Sequence, residues 1–266
     1  MTHKTTLQTP VTRVDSSGST TQEMDLLAAE EPLEIRIDGR PVAITMRTPG
    51  HDLELAAGFL FTEGVIDGPD DLTAMAHVDD PATPSGNTVD TVLAAGVPAS
   101  RRHQADRSMF ASSSCGVCGK ESISRLMTSH PPLTQRLSPA ADVLTELPQR
   151  LRQAQAVFDQ TGGLHAAALV TLHGELEVVR EDIGRHNAVD KVVGWRLRAD
   201  QVPIDDRILL VSGRVGFEIV QKALVARIPV IAAVGAPSSL AVQLAQSAGM
   251  TLIGFLRDGR FNQYTD

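Results

Sequence analysis

The sequence predicts an α/β fold in which a small N-terminal α+β domain precedes a C-terminal α/β domain with a mainly parallel sheet. Three observations carry this prediction. Strand-like and helical patterns alternate through the last third of the chain across short loops, which favours parallel strands with right-handed crossovers. The N-terminal third shows a strand pair followed by one helical pattern. The chain has 266 residues, enough for two modest domains or one large one.

The first predicted elements are a tail, a hairpin and a helix. Residues 1–29 are rich in Ser and Thr and are predicted to be a flexible tail. Apolar and polar residues alternate from Pro32 to Met46 on both sides of Asp38-Gly39, which is typical of a β-hairpin. Residues 51–61 have helical spacing, and Gly64 is suited to end that helix. The segment after it holds only short strand-like pieces.

A polar segment in the middle of the chain is predicted to be a loop. Residues 101–114 show no apolar periodicity and lead into a glycine-rich pair of cysteines. Helical patterns follow the cysteines and return at residues 142–158, and prolines interrupt the chain near residues 131–139. We therefore predict a tail at 1–29, an N-terminal domain at 30–135 and a C-terminal domain at 136–266.

The alternating pattern of the last third begins with two strands around a turn at residues 173–175. The strands are predicted at 166–172 and 176–179, and a helix follows at 182–197. The remaining elements are a strand at 207–212, a helix at about 215–226, a strand at 229–234, a helix at 238–248 and a strand at 251–256.

Composition and charge exclude several classes of protein. The formal net charge is -8, and no basic run is long enough to follow a phosphate backbone, so nucleic acid is not an expected partner. No stretch approaches the roughly 18 apolar residues that span a bilayer. The first residues lack the apolar segment of a secretory signal. We therefore expect a cytoplasmic protein with no membrane partner.

The chain has only two cysteines, Cys115 and Cys118, in the segment SSSCGVCGK. Two cysteines cannot form a disulfide framework, so this pair points to chemistry. The flanking glycines allow an exposed loop. The N–H groups of a following helix and the charge of Lys120 both favour the reactive thiolate.

Spacing alone leaves three interpretations of the cysteine pair open. A structural zinc site needs two more ligands, and the spacing of His103 and His130 matches no familiar zinc module. A thioredoxin-like redox pair is expected directly after a strand, whereas a long polar loop precedes this one. The third interpretation is a cysteine that carries persulfide sulfur. A zinc deaminase motif is not favoured, because His173-Gly174-Glu175 follows the cysteines and no proline precedes Cys115.

Three loops of the last third are suited to an anionic ligand. Residues 212–216 and 236–239 each follow a strand and open a helix, so their N–H groups, Arg214 and Ser238 are candidate contacts for phosphate. Residues 257–260 follow the last strand. Loops at the carboxyl ends of parallel strands meet in one crevice, which is where ligands bind.

The segment DIGRHN, at residues 182–187, is unusually polar for the start of a helix. His186, Asn187, Asp190 and Lys191 fall on neighbouring turns and are expected to share one face. They are interpreted either as a salt-bridged capping network or, for His186, as a proton carrier.

The segments SSSCGVCGK, EDIGRHNAVDK, SGRVGFEIVQK and FLRDGRFNQYT together resemble the formate dehydrogenase accessory sulfurtransferases of the FdhD/NarQ type. The resemblance extends from about Glu34 to Tyr264. It implies a protein that takes sulfur from a cysteine desulfurase as a persulfide. It also implies delivery of that sulfur to the bis-molybdopterin guanine dinucleotide form of the molybdenum cofactor, which formate dehydrogenase requires.

The resemblance also implies roles for particular residues. The first cysteine, Cys115, would hold the persulfide, and Cys118 matches the second, less essential cysteine. The cofactor-binding segment of the family matches Phe255, Leu256, Arg257, Asp258, Gly259 and Arg260. A cytidine deaminase-like C-terminal domain, a homodimer and no metal of its own are further implications, with GDP as a surrogate ligand.

Two hypotheses of function follow from the sequence. The first is a sulfurtransferase acting through Cys115. The second is a chaperone that binds the cofactor or a guanine nucleotide without transferring sulfur. Arg214 and Ser238 are predicted at the ligand because they lie at helix starts, where unpaired N–H groups favour an anion, and not because of the resemblance.

Overall fold

The computed structural model describes residues 4–79, 86–102 and 119–265. Within these ranges the chain forms three sheets, with helices packed against the two larger ones. Cys115, Cys118 and most of the predicted loop before them lie outside the described residues.

A four-stranded sheet forms the N-terminal part. Its strands, in sheet order, are β4 (Arg40–Arg47), β3 (Glu31–Ile37), β6 (Thr88–Leu93) and β5 (Leu72–His77). The predicted hairpin is confirmed, because β3 and β4 pair antiparallel around Asp38 and Gly39, whose φ angles are 50° and 77°. Two positive φ angles give a turn whose twist matches that of the paired strands.

The helix predicted after this hairpin is confirmed as α1 (Asp52–Thr62). The chain leaves it through Gly64, whose φ is 73°. Between α1 and Pro131 the described residues also form a 3₁₀ turn (Pro69–Asp71), α2 (Ala99–Arg102) and α3 (Gly119–Ser129).

A two-stranded hairpin precedes this sheet, so the prediction of a flexible tail is wrong for residues 6–28. Strands β1 (Thr6–Val14) and β2 (Thr20–Ala28) pair antiparallel along their whole length. Asp15 fixes the turn by accepting hydrogen bonds from the backbone N–H groups of Ser17 and Ser19. Most side chains of the hairpin are exposed. The sequence therefore lacks the apolar alternation that identifies a half-buried strand.

A six-stranded sheet forms the C-terminal part. Its strands, in sheet order, are β12 (Arg260–Gln263), β11 (Thr251–Arg257), β10 (Val230–Ala233), β9 (Arg207–Val211), β7 (His165–Thr171) and β8 (Leu176–Asp182). The prediction of a mainly parallel sheet is wrong. Only β9, β10 and β11 pair in parallel, whereas β7–β8, β7–β9 and β11–β12 are antiparallel. Short turns join β7 to β8 and β11 to β12, and such turns connect only antiparallel neighbours.

Helices cover both faces of the six-stranded sheet. On one face lie α6 (Arg185–Arg198), α7 (Phe217–Val225) and α8 (Ser239–Ala248), and on the other lies α4 (Ala141–Ala154). Alternate strand residues face the two sides, as the pleat requires. For example, Leu209 belongs to the larger core with α6 to α8, and Leu210 belongs to the smaller core with α4.

The single helix predicted at residues 142–158 is two helices. After α4 the chain breaks at Gln155, whose φ and ψ are −87° and 74°, and continues as α5 (Ala156–Thr161). Gly162 ends α5 in the left-handed conformation, with a φ of 64°. The prediction of a continuous helix is therefore wrong, and the break places Gln155 beside the sheet edge described below.

The two parts of the chain meet where α1 crosses α6. A Cβ atom on Gly58 would lie 1.9 Å from the carbonyl oxygen of Asp190, and one on Gly194 would lie 1.9 Å from that of Glu54. Only glycine permits this close contact between the backbones. The larger core accordingly includes Leu33 and Leu55 together with Val192.

The α/β class of the fold is confirmed by the mixed arrangement of sheets and helices. The predicted domain division at about residue 135 and the cytidine deaminase-like kinship stay predictions. None of the described residues belongs to a helix long and apolar enough to cross a bilayer.

Candidate functional site

The loops at the carboxyl ends of β9, β10 and β11 meet at one edge of the sheet, as predicted for parallel strands. Their backbones are hydrogen-bonded to one another. Gly235 N donates to Gly213 O at 3.1 Å, and Phe255 N donates to Gly235 O at 3.0 Å. A Cβ on Gly235 would lie 2.6 Å from Gly213 O. Glycine is therefore needed at this contact, and the loops form a firm backbone surface, named here the strand edge.

Two helices start at the strand edge without a side-chain cap. The N-cap residues of α6 and α7 are Gly184 and Gly216, so neither N-cap has a side chain that could accept from the first N–H groups of its helix. The first N–H groups of a helix lack intrahelical partners and carry partial positive charge. Such helix starts favour an anion.

Two arginines lie at these helix starts. Arg214 follows β9 and is exposed, and Arg185 is the first residue of α6 and is half-buried. Within the described part of the chain, neither guanidinium forms a hydrogen bond or an ion pair with a carboxylate. Guanidinium groups bind phosphate oxygens in bidentate geometry. The strand edge therefore has the charge and the donors of a phosphate site.

His165 is a site residue that the sequence analysis missed. It begins β7, which runs antiparallel to β9, so its side chain reaches the same edge. A Cβ on Gly213 would lie 3.2 Å from His165 Nδ1. Burial lowers the pKa of His165, and the charges of Arg185 and Arg214 lower it further. The sequence signal that could have identified it is a histidine directly before the apolar segment AAALV.

His186 is paired with a carboxylate at the strand edge. Its Nε2 lies 2.8 Å from Oε2 of Glu218, which is in the first turn of α7. The contact with His186 is the largest cause of the lowered pKa of Glu218. The pair joins the starts of α6 and α7. The proton-carrier interpretation of His186 stays a prediction.

The capping-network interpretation of residues 182–187 is supported for Asp182, Asn187 and Lys191. Asp182 Oδ1 accepts hydrogen bonds from Gly184 N at 2.8 Å and from Asn187 Nδ2 at 3.0 Å. Its Oδ2 lies 2.7 Å from Lys191 Nζ. Asp182 and Lys191 are almost completely buried. These residues therefore hold the start of α6 in place, and their side chains are not available to a ligand.

Asp190 belongs to a separate buried cluster. It shares with His186 the face of α6 that meets α7, whereas Asn187 and Lys191 face Asp182, so the prediction that all four share one face is right only within these two pairs. Its carboxylate accepts from Thr62 Oγ1 at 2.8 Å and lies 2.9 Å from Lys222 Nζ. This cluster joins α1, α6 and α7 on the side of α6 that packs against the N-terminal part.

Ser238 acts as a helix cap. Its Oγ accepts a hydrogen bond from Ala241 N at 3.2 Å, and its N donates to Val215 O at 2.9 Å. The second bond attaches the start of α8 to the loop that carries Arg214. The predicted contact of Ser238 with a ligand stays a prediction.

The segment from Phe255 to Arg260 forms the end of the β11–β12 hairpin. The φ of Phe255 is 51°, and the register shifts between Gly254 and Arg257. A non-glycine residue with positive φ is uncommon and is maintained by its surroundings, here by the bond to Gly235. Leu256 is fully buried in the smaller core, so its side chain anchors the hairpin.

The four residues after Leu256 are exposed. Asp258 and Gly259 form the turn, with φ angles of 54° and 70°, and Arg257 and Arg260 face each other across it. Arg257 lies over the ring of Phe255, with 5.7 Å between its guanidinium carbon and the ring centroid. No hydrogen bond or ion pair between described residues joins Arg257 or Arg260 to the Arg214 loop.

The structure tests neither predicted cysteine role, because Cys115 and Cys118 lie outside the described residues. Among the residues that the structure describes, no three His, Cys, Asp or Glu side chains are grouped as metal ligands would be. The zinc interpretation of the cysteine pair therefore stays untested.

The fold and the strand edge define an α/β protein in which two uncapped helix starts and two arginines lie at one edge of the sheet. The chain belongs to the FdhD/NarQ family, whose model matches residues 28–266. It is 51% identical over 257 residues to the sulfur carrier protein FdhD of Streptomyces avermitilis, covering 93% of this chain and 89% of that one. It is 50% identical over 255 residues to the protein of the same name from Mycobacterium tuberculosis, covering 91% and 90% of the two chains.

A solved structure shows a related fold. It is that of a protein from Desulfotalea psychrophila assigned as a formate dehydrogenase accessory protein. The TM-score is 0.76 at 24% sequence identity, over 99% of this chain and 98% of that one. At this identity the likeness concerns the fold.

Proposed function

We propose that this chain is a sulfur carrier. It accepts persulfide sulfur from a cysteine desulfurase on Cys115 and delivers it to the bis-molybdopterin guanine dinucleotide cofactor of formate dehydrogenase. The observation that carries the proposal is the similarity to proteins named sulfur carrier protein FdhD, at about half identity over more than nine-tenths of the chain.

The first step loads sulfur on Cys115. The Cys115 thiolate attacks the terminal sulfur of the desulfurase persulfide, forms a new S–S bond and releases the desulfurase cysteine as a thiolate. One sulfur atom moves and no net oxidation occurs. The segment SSSCGVCGK suits this exchange, since glycine flexibility and the charge of Lys120 favour an accessible thiolate.

The second step releases the sulfur in reduced form. The Cys118 thiolate attacks the sulfur of Cys115, which yields a Cys115–Cys118 disulfide and hydrosulfide for the metal centre. The two thiols supply the two electrons that the terminal sulfur gains. A cellular dithiol then reduces the disulfide. Without Cys118 an external thiol can perform the same attack, which agrees with a less essential role.

The cofactor is the substrate of this transfer, and the strand edge is its proposed binding surface. Each guanine dinucleotide contains a diphosphate, and the helix starts at Gly184 and Gly216 together with Arg185 and Arg214 suit such a group. The exposed hairpin end with Arg257 and Arg260 is the second proposed contact. GDP is the matching small probe.

The remaining partners and the location follow from the same proposal. A cysteine desulfurase is the donor and formate dehydrogenase is the client. The chain works as a homodimer in the cytoplasm, where thiols stay reduced.

A cofactor chaperone without sulfur transfer is the second candidate. It is favoured by one observation: the strand edge is built from residues distant in sequence from the cysteines. In that case GDP binding and function would both survive replacement of Cys115 and Cys118 by Ala.

The deciding experiment is an intact-protein mass spectrum after incubation with a cysteine desulfurase and cysteine, followed by peptide mapping. The sulfur-carrier proposal expects one added sulfur atom on the peptide with Cys115, removable by dithiothreitol and absent from Cys115→Ala. No added sulfur in the presence of intact GDP binding would favour the chaperone.

A further inference from the structure

A pocket of about 320 Å³ lies far from the strand edge, where the ends of α1, α3 and α7 meet. Its lining includes Phe61 of α1, Ser129 of α3 and Val225 of α7, and it is named here the helix-end pocket. Helix α7 begins at the strand edge and ends at this pocket, so the two lie at opposite ends of the helix. The volume is at the small end of the range for ligand pockets, which suits a small metabolite.

Arg227 supplies a fixed positive charge in the lining of this pocket. It follows α7 in a Schellman motif, whose two bonds run from Arg227 N to Leu224 O and from the next N–H to Ala223 O. Glycine is usual at this position, whereas the φ of Arg227 is 63°, so backbone strain is accepted to keep this side chain. Its guanidinium is held by a hydrogen bond to Pro131 O at 2.6 Å and keeps further N–H groups for an anion.

The charge of Arg227 is available to a ligand. No carboxylate in the described part of the chain pairs with it. His130 also lines the pocket, but burial lowers its pKa, so its ring is uncharged at neutral pH. The positive charge of the lining therefore rests on Arg227, whose guanidinium matches a carboxylate in bidentate geometry.

Other features of the same pocket attract a cation. Three helices end here, and the C-terminal end of a helix carries partial negative charge. Asp67 adds a full negative charge to the lining. Its exposed carboxylate pairs with Arg101, which is outside the lining. Such an exposed ion pair is weak, so the carboxylate can accept from the ammonium of a ligand.

The rest of the wall is largely apolar. Phe61 and Ile66 line the pocket and are almost completely buried. Val202 and Val225 are half-buried in the same wall. An apolar group of a ligand would be stabilised there, because it would remove this surface from water.

We propose that the helix-end pocket binds a free amino acid with an apolar side chain. Its carboxylate contacts Arg227, its ammonium lies at the helix ends beside Asp67, and its side chain packs against the apolar wall. A zwitterion fits because a ligand with a single charge would be attracted by one of these groups and repelled by the other. The inference goes beyond the proposed function, since the pocket shares no residue with the strand edge.

The test is calorimetric titration of the full chain with L-leucine, 4-methylpentanoate and 3-methylbutylamine. The second probe is leucine without its ammonium group, and the third is leucine without its carboxylate. Each analogue is expected to bind at least about tenfold more weakly than leucine, the value of one hydrogen bond to a charged group. Equal affinity for leucine and either analogue would overturn the zwitterion site, and so would the absence of binding by all three probes.

Two substitutions should separate the two charged ends of the ligand. Asp67→Asn is expected to weaken leucine binding about tenfold without weakening the binding of 4-methylpentanoate. Arg227→Asn is expected to weaken leucine and 4-methylpentanoate about tenfold each without weakening 3-methylbutylamine. Asparagine is chosen at this position because it tolerates a positive φ.

The matched control is Asp70→Asn. Asp70 is exposed in the 3₁₀ turn that follows Asp67 and does not line the pocket, so this variant should bind every probe as wild type does. Thermal unfolding checks that each variant folds, and the titrations of wild type decide the proposal even if Arg227→Asn is unstable. Wild-type affinity for leucine in Asp67→Asn, or in folded Arg227→Asn, would show that these charges do not hold the ligand and would overturn the proposal.

Discussion

Lys191 Nζ lies 2.7 Å from Asp182 Oδ2, and both side chains are almost completely buried. The same ammonium donates to the carbonyl oxygen of Thr48, and Thr48 N donates to Asp182. The pair therefore connects the end of β8, the middle of α6 and the segment after β4. It fixes the start of α6, where Arg185 faces the strand edge.

Lys191→Met should destabilise the fold strongly, because it leaves Asp182 charged and buried without its cation. Breaking one side of a buried pair costs about 3–5 kcal/mol. Urea denaturation measures the change in the free energy of unfolding. Arg198→Met, on the exposed last turn of the same helix, is the control and should change stability by less than about 0.5 kcal/mol. An equal effect of both variants would contradict the assigned role of the pair.

Gly194→Ala should also be destabilising, although alanine favours helices. The added Cβ would lie 1.9 Å from Glu54 O in the facing helix α1. Overpacking costs about 1–3 kcal/mol or more and outweighs the gain of about 1 kcal/mol in helix propensity. Differential scanning calorimetry should show a lower melting temperature. Gly96→Ala, with no atom within 4 Å of the new Cβ, should melt close to wild type.

The sequence predicts those parts of the fold that local patterns determine. The hairpin around Asp38-Gly39 and helix α1 were predictable because their signals lie within a few residues. The link between Thr48 and Asp182 spans 134 positions, so no local pattern contains it. The break at Gln155 was missed because apolar periodicity continues across it.

The candidate site was predictable to a similar extent. The loop with Arg214 was predictable because a strand pattern leads directly into a helical pattern there. The structure places this loop at the strand edge, as expected. His165 could not be placed without knowing that β7 runs antiparallel beside β9.

The ion pair of Glu54 with Arg180 should make stability depend on acid pH. Burial raises the pKa of Glu54, but hydrogen bonds from Arg180 and His51 outweigh it and lower the pKa from 4.5 to about 2. The carboxylate therefore stabilises the fold above pH 4.5, and this contribution is lost as the pH falls toward 2.

Glu54→Gln should accordingly lose up to about 3 kcal/mol at neutral pH, and the deficit should shrink as the pH falls through that window. Urea unfolding of both proteins between neutral and acid pH measures it. Glu175→Gln, in the exposed turn between β7 and β8, is the control. A deficit that stayed constant with pH would indicate lost packing in place of a lost charge.

Arg214→Ala should weaken GDP binding without destabilising the fold, because the exposed side chain has no carboxylate partner among the described residues. A hydrogen bond to a charged group contributes about 1.5–3 kcal/mol, so the loss should be about tenfold to a hundredfold. The wild-type affinity should fall with added salt more steeply than that of the variant. Arg198→Ala provides the matched control for net charge. If both variants bound GDP equally, Arg214 would not contact the diphosphate.

Cys115→Ala should abolish activation of formate dehydrogenase while the folded chain still binds GDP. The persulfide forms on this sulfur in the proposed mechanism, and the strand edge, which is the proposed nucleotide site, is formed by other residues. Cys118→Ala should reduce activation less, because an external thiol can replace it in attacking the persulfide. Dehydrogenase activity is measured in cells whose only copy carries each change, with GDP titration of the purified variants as the folding check. Full activity with Cys115→Ala would refute the sulfur-carrier mechanism. A greater loss with Cys118→Ala than with Cys115→Ala would show that the roles of the two thiols are reversed.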